Sequence, residues 1–158
     1  MLSLLLVLAA QSESTELPPG NALPPQPAAE EQAVLATVQS LLASFEAGDS
    51  AAMLRQVYAD GRVTATGTRS SGSGIRQQSW AQFAERVTPA APFTETISDP
   101  AVEIDGDAAM VWAPYVVRIG GKVSNCGFDH FDLVRENGVW KVMNLTFSSR
   151  VLGAANNE

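Results

Sequence analysis

The sequence predicts an α+β domain, with about three helices packed on one face of a strongly curved antiparallel sheet. Three observations carry that prediction. Residues 30–47 repeat apolar side chains at helical spacing. The last third of the chain alternates apolar and polar residues in three long runs that begin near residues 107, 122 and 139. Those runs are joined by "GG" and "ENG", both hairpin signals. Helices first and a meander second is the order of an α+β fold, since each amphipathic helix must bury its apolar stripe against the sheet.

The elements follow in order. Val34, Leu35, Val38, Leu41, Leu42 and Phe45 make the stripe of the first helix, with Glu30 and Glu31 at its positive N-terminal end. Gly48 ends that helix, and Asp49 caps a second, "SAAMLRQVY". "ADGRVTATGT" turns and then alternates as a strand, and "RSSGSG" is a polar loop. That loop lacks the strand, spacing and lysine of a phosphate-binding loop. "SWAQFAERV" is a third helix with Trp80, Phe83 and Val87 on one side, and "FTETIS" and "AVEID" are short strands.

Composition bounds the function. A chain of 158 residues with 46% apolar and 17% charged residues suits one domain with a real core. A net charge of −7, with ten scattered Lys and Arg, argues against nucleic acid as a partner. A single cysteine forms no internal disulfide, and one His with one Cys makes a metal site or a metal cofactor unexpected. "MLSLLLVLAA" is too short for the ~20 apolar residues of a membrane span. It matches the apolar core of a signal peptide, with Ala9 and Ala10 where cleavage would occur, although no Lys or Arg precedes it. The expectation is export to the periplasm; a cytoplasmic protein with a buried or frayed N-terminal segment is the alternative. Residues 1–29 therefore divide into a signal-like segment and a Pro-rich tether, 30–150 form the domain, and 151–158 a disordered tail.

"NCGFDHFDLV", residues 125–134, concentrates the candidate chemistry. Alternation puts Asp129, Phe131 and Leu133 on one face and Cys126, Phe128, His130 and Asp132 on the other. A Cys126–His130 nucleophilic pair is disfavoured, because four strand residues separate the two by about 13 Å. With Gly120-Gly121 as a two-residue turn, Trp112 lies opposite Asp129 and Met110 opposite Phe131, while Val111, Ala113 and Tyr115 fall on the outer face with Phe128 and His130. After "ENG", a three-residue loop with a glycine bulge would set Met143, Leu145 and Phe147 beside Asp129. A two-residue turn would set Asn144 and Thr146 there. The first arrangement is preferred for its apolar lining. A carboxyl so enclosed has its pKa raised by desolvation.

The helix-then-meander order, "FEAGD" closing the first helix, and "YADG" before the first strand resemble the nuclear transport factor two-like superfamily over residues 30–150. The run "VWAPYVVRIGGKVSNCGFDHFDLVRENGVWKV" looks like a bacterial branch of it without assigned activity. The resemblance implies a cystatin-like cone: a bent sheet around a pocket that helices close, with dimers often formed through the outer sheet face. "FDHF" resembles the ketosteroid isomerase strand whose aspartic acid donates to an oxyanion, which places Asp129 in that role. The donor tyrosine and base aspartate of those isomerases fall on Leu41 and about Ala65 here, so their mechanism is not supported. Fold alone does not decide function.

The leading expectation is a domain that binds a small apolar ligand, with no complete catalytic set. Its pocket residues would be Trp112, Met110, Phe131, Leu133, Met143, Leu145 and Phe147. The alternatives are an isomerase, dehydratase or cyclase that uses Asp129 as acid or base, and a protein-interaction module. A titratable group near neutral pH inside the pocket would favour the enzyme. A homodimer through the outer sheet face is expected in each case, because that face is too apolar to leave in water.

Overall fold

Helix α1 (Ala28–Ala47) buries Val34, Val38, Leu41, Leu42 and Phe45, the stripe its sequence prescribes. It stops at Gly48, whose φ of 64° is left-handed; the N–H groups of Gly48 and Asp49 return to the Phe45 and Ser44 carbonyls. Asp49 then accepts a 2.8 Å bond from the Ala52 N–H and starts α2 (Ser50–Gln56). Helix α3 (Trp80–Ala84) opens with a reciprocal capping box between Ser79 and Gln82 and is shorter than the sequence suggests. The computed structural model describes residues 27–69 and 72–151. The signal-like segment, the tether through Gln26 and the tail from Leu152 lie outside the described residues, while Ala28, Ala29 and Val151 belong to regular elements.

Eight strands form one curved sheet: β1 (Arg62–Arg69), β2 (Gly72–Ser73), β3 (Arg76–Ser79), β4 (Thr94–Ile97), β5 (Ala101–Asp105), β6 (Ala108–Ile119), β7 (Lys122–Glu136) and β8 (Val139–Val151). The order is β2-β1-β8-β7-β6-β4, with β3 on β1 and β5 on β6. Neighbours run antiparallel except β1 and β8, a parallel pair between strands far apart in the chain. Strands β2 and β3 were not expected, because "GS" and "RQQS" carry no apolar alternation; pairing with β1 alone makes them strands. The helices cover one face, and Leu41, Phe45, Met53, Trp80, Phe131 and Val142 meet in the core between.

Two bulges decide which side chains face inward. Gly120-Gly121 does make the expected turn, and Ile119 pairs with Lys122. The register then slips: Arg118 faces Val123 but Val117 faces Asn125, which leaves Ser124 as an extra residue. A one-residue slip moves every later side chain to the other face. Trp112 consequently lies opposite His130, not Asp129, and Met110 opposite Asp132, not Phe131. Val111, Ala113 and Tyr115 are buried on the inner face instead of lining the outer one.

On the other side of β7 the turn is two residues, Asn137-Gly138, with φ of 52° and 81°. That turn alone would have put Asn144 and Thr146 inside. A bulge at Met143 restores the apolar set: Leu133 faces Val142, Asp132 faces Asn144, and Phe131 and Asp129 face Leu145 and Phe147. The three-residue loop with a glycine bulge is thus not formed; the bulge lies within β8, at Met143, and restores the same lining. The Met143 carbonyl, turned out of the ladder, accepts a 2.9 Å bond from Trp80 Nε1.

Candidate ligand site and carboxyl pair

The inner face of β6 presents Ala113, Tyr115 and Val117, and the two strands beside it each contribute one acid. Asp129 comes from β7, opposite Ala113. Glu95 comes from β4, opposite Val117. The side chains converge beneath the curved sheet, close enough for each carboxyl to shift the titration of the other. Asp129 is 1% exposed. Glu95 Oε1 and Asp129 Oδ2 find no donor in any other residue described. Two buried carboxylates in contact would repel each other, and neither would have a donor. A proton between them removes both difficulties.

Electrostatics agree with that geometry. Burial raises the Asp129 carboxyl far above the ordinary carboxylate range, and the charge and hydrogen bond of Glu95 raise it further, to about 10. Burial raises Glu95 to about 7, against a hydrogen bond from Asp129 that favours its anion. Protons leave such a pair in two steps that belong to the pair. Burial and the neighbouring acid together favour one retained proton on the pair. Tyr115 lies close by, its hydroxyl 3.0 Å from both Asn125 Oδ1 and the Ser148 carbonyl, and burial raises its pKa too.

A cavity of about 250 Å³ opens in front of Glu95, walled by Phe83, Phe93, Tyr115, Leu145 and Phe147. A second, of about 190 Å³, adjoins it and has a mixed wall, with Arg76, Gln78 and Ser149 beside Val63, Ala65 and Val151. The two share Arg86, Asn125 and Phe147. Together they fall in the lower part of the ~300–1,000 Å³ range of small-molecule pockets.

Of the residues anticipated as pocket lining, Leu145 and Phe147 stand in the wall of the apolar cavity. Phe131 and Leu133 point inward but are sealed in the core, and Met143 is the bulge residue. Trp112 and Met110 are on the opposite face; Trp112 is 45% exposed and stacks on Phe128 at 5.3 Å. Asp129 points inward as alternation requires, yet lies behind Glu95 and in the wall of neither cavity. His130 faces outward, 3.4 Å from Asp132. Glu95 itself was missed. Its signal was available: Phe93, Glu95 and Ile97 share one face of "FTETIS", so an acid stands between two apolar neighbours.

Among the described residues, no three His, Cys, Asp or Glu side chains converge as metal ligands. No described helix is long and apolar enough to cross a membrane.

A family model described as "Putative lumazine-binding" matches residues 29–148. The chain belongs to that family, within the nuclear transport factor 2-like superfamily. No curated protein matches it. An NTF2-like protein from Cytophaga hutchinsonii superposes with a TM-score of 0.65 at 13% identity, over 77% of this chain and 98% of that one. A Nostoc punctiforme protein of unknown function with a cystatin-like fold gives 0.63 at 14% identity, over 78% and 93%. An NTF2-like superfamily protein from Salmonella enterica gives 0.62 at 14%, over 83% and 98%. At such identities these likenesses establish the fold. Within this NTF2-like domain Leu41 and Ala65 are buried and carry no acid or base.

Proposed function

We propose that this domain binds a small, largely apolar molecule in the Glu95 cavity and transfers a proton on it, as an isomerase, dehydratase or cyclase does. One observation carries the reading: Glu95, half-buried against the buried Asp129 carboxyl, opens on an aromatic-walled cavity. A general base works best with a pKa near the operating pH, and burial brings Glu95 there. Glu95 would take a proton from a carbon beside a carbonyl and return it elsewhere on the ligand. Asp129 acts through Glu95: its retained proton orients the Glu95 carboxylate and offsets the cost of a buried anion. The aromatic walls exclude water and hold a flat ligand. The family description supports small-molecule binding, and a fused heterocycle such as lumazine is of suitable size and shape.

Native mass spectrometry of protein purified from its own host would reveal a retained ligand. Activity is tested with a β,γ-unsaturated cyclic ketone in deuterated water. Wild type should exchange and isomerise it, and Glu95→Gln should lose about 10²–10⁴-fold. Equal rates in the two proteins would leave a binding domain without this chemistry.

Two further expectations belong to the same proposal. Trp112, Phe128 and His130 form an aromatic group on the outer sheet face, which supports a homodimer through that face. Sedimentation showing only monomer at micromolar concentration would count against it. The apolar first ten residues support export to the periplasm; finding the full-length chain only in the cytoplasmic fraction would oppose that.

A further inference from the structure

The second cavity, which adjoins the Glu95 cavity, holds an unusual arrangement of charge. Arg76 on β3 and Arg86, just after α3, both stand in its wall. They are close enough that the charge of Arg76, after burial, lowers the pKa of Arg86. Neither makes an ion pair among the described residues, although Arg135 alone holds two acids, Glu30 and Asp107. Arg86 lies against the Phe83 ring at 5.3 Å. In a chain with 17 acidic and 10 basic residues, carboxylates are abundant. Two adjacent guanidinium groups without a carboxylate partner offer an anion a charged, two-forked seat.

The rest of the wall suits an oxyanion. Gln78 and Asn125 bring amides, and Ser124 and Ser149 bring hydroxyls. Arg86 and Asn125 border both cavities, so a molecule seated against Glu95 can reach the arginines with its far end. Guanidinium forks bind carboxylate and phosphate in bidentate fashion.

We infer that the ligand is an amphipathic anion: an apolar, planar body in the Glu95 cavity and a carboxylate or phosphate group on Arg76 and Arg86. This rests on the reading of the Glu95 cavity as the ligand site. It adds the class of molecule, and it places the charged group away from the reacting end, where it orients the ligand and spares the buried acids a neighbouring anion.

Calorimetric titration with trans-cinnamate, phenyl phosphate and the neutral isostere trans-cinnamamide tests this. At least one anion should bind wild type at millimolar concentration or better, and whichever binds identifies the head group. Arg86→Gln and Arg76→Gln should each weaken that anion by about tenfold or more while leaving the amide unchanged. Both arginines are exposed, so the variants should melt as wild type does. Independently of any variant, anion affinity should fall as salt rises. Cinnamamide binding as tightly as the anions, unchanged anion affinity in the arginine variants, or no binding of either anion would each overturn the inference. The Glu95→Gln protein separates the two proposals. It should still bind the anion here, even if proton transfer at Glu95 proves absent.

Discussion

A carboxyl group taken out of water keeps its proton, and a second carboxyl beside it makes that proton harder to remove. Asp129 and Glu95 meet both conditions, and they divide the work: the deeper acid stores a proton, and the outer one faces the cavity. At neutral pH the infrared carbonyl band of a protonated carboxylic acid should therefore be present in wild type. It should weaken in Asp129→Asn, where only the part-protonated Glu95 remains, and vanish there as pH rises above the Glu95 titration. Asparagine still donates to Glu95, so the Glu95 titration should stay near neutral in that variant. Asp129→Ala removes the hydrogen bond that favours the Glu95 anion and should move Glu95 further upward. A Glu95 pKa that falls in Asp129→Ala would contradict this division of roles. Strand alternation alone makes the inward aim of Asp129 legible. Its partner was harder to read, because nothing local in "FTETIS" says that β4 will pair with β6 and bring Glu95 to the same place.

At the scale of elements, the protein depends on two extra residues, Ser124 and Met143, and on glycines where strands press together. A Cβ on Gly61 would lie 1.7 Å from the Met143 carbonyl oxygen, and one on Gly127 1.9 Å from that of Ser148. Both neighbours are backbone in long strands and cannot step aside. Gly61→Ala and Gly127→Ala should each cost more than about 3 kcal/mol in chemical denaturation, or prevent folding. Trp80→Phe removes the donor to the Met143 carbonyl and part of a fully buried ring, and should cost about 2–4 kcal/mol. Helix stripes, caps and the first hairpin turn are written in local sequence: Gly48, Asp49 and Gly120-Gly121 each do what their residue types dictate. Asn137-Gly138 instead closes a two-residue turn where a three-residue loop is expected. The bulges are not written locally. Ser124 and Met143 are ordinary strand residues, and their displacement follows from how three strands and Trp80 fit together. One misplaced residue was enough to exchange Trp112 and Met110 for Ala113 and Tyr115 on the inner face.

For the whole molecule, the carboxyl pair couples folding to pH. Both acids hold protons more tightly in the folded chain than in the unfolded one, where they ionise near 4. Their contribution to stability is thus fully present below that range and is lost as pH rises, first through Glu95 near 7 and then through Asp129 near 10. Each held proton costs about 1.4 kcal/mol per pH unit across its window. Relative to wild type, Glu95→Gln and Asp129→Asn should each flatten this decline between about pH 5 and 7 in urea melts at fixed ionic strength. An unchanged slope would mean that the replaced acid was already ionised.

The central claim, a proton shared by Glu95 and Asp129, is tested most directly by following the side-chain carboxyl carbons in an NMR titration of the wild-type protein. Two carboxyls should titrate far above the rest, each sensing the other, with the first step near neutral pH and assigned mainly to Glu95. Both acids titrating near 4, independently of one another, would contradict the account.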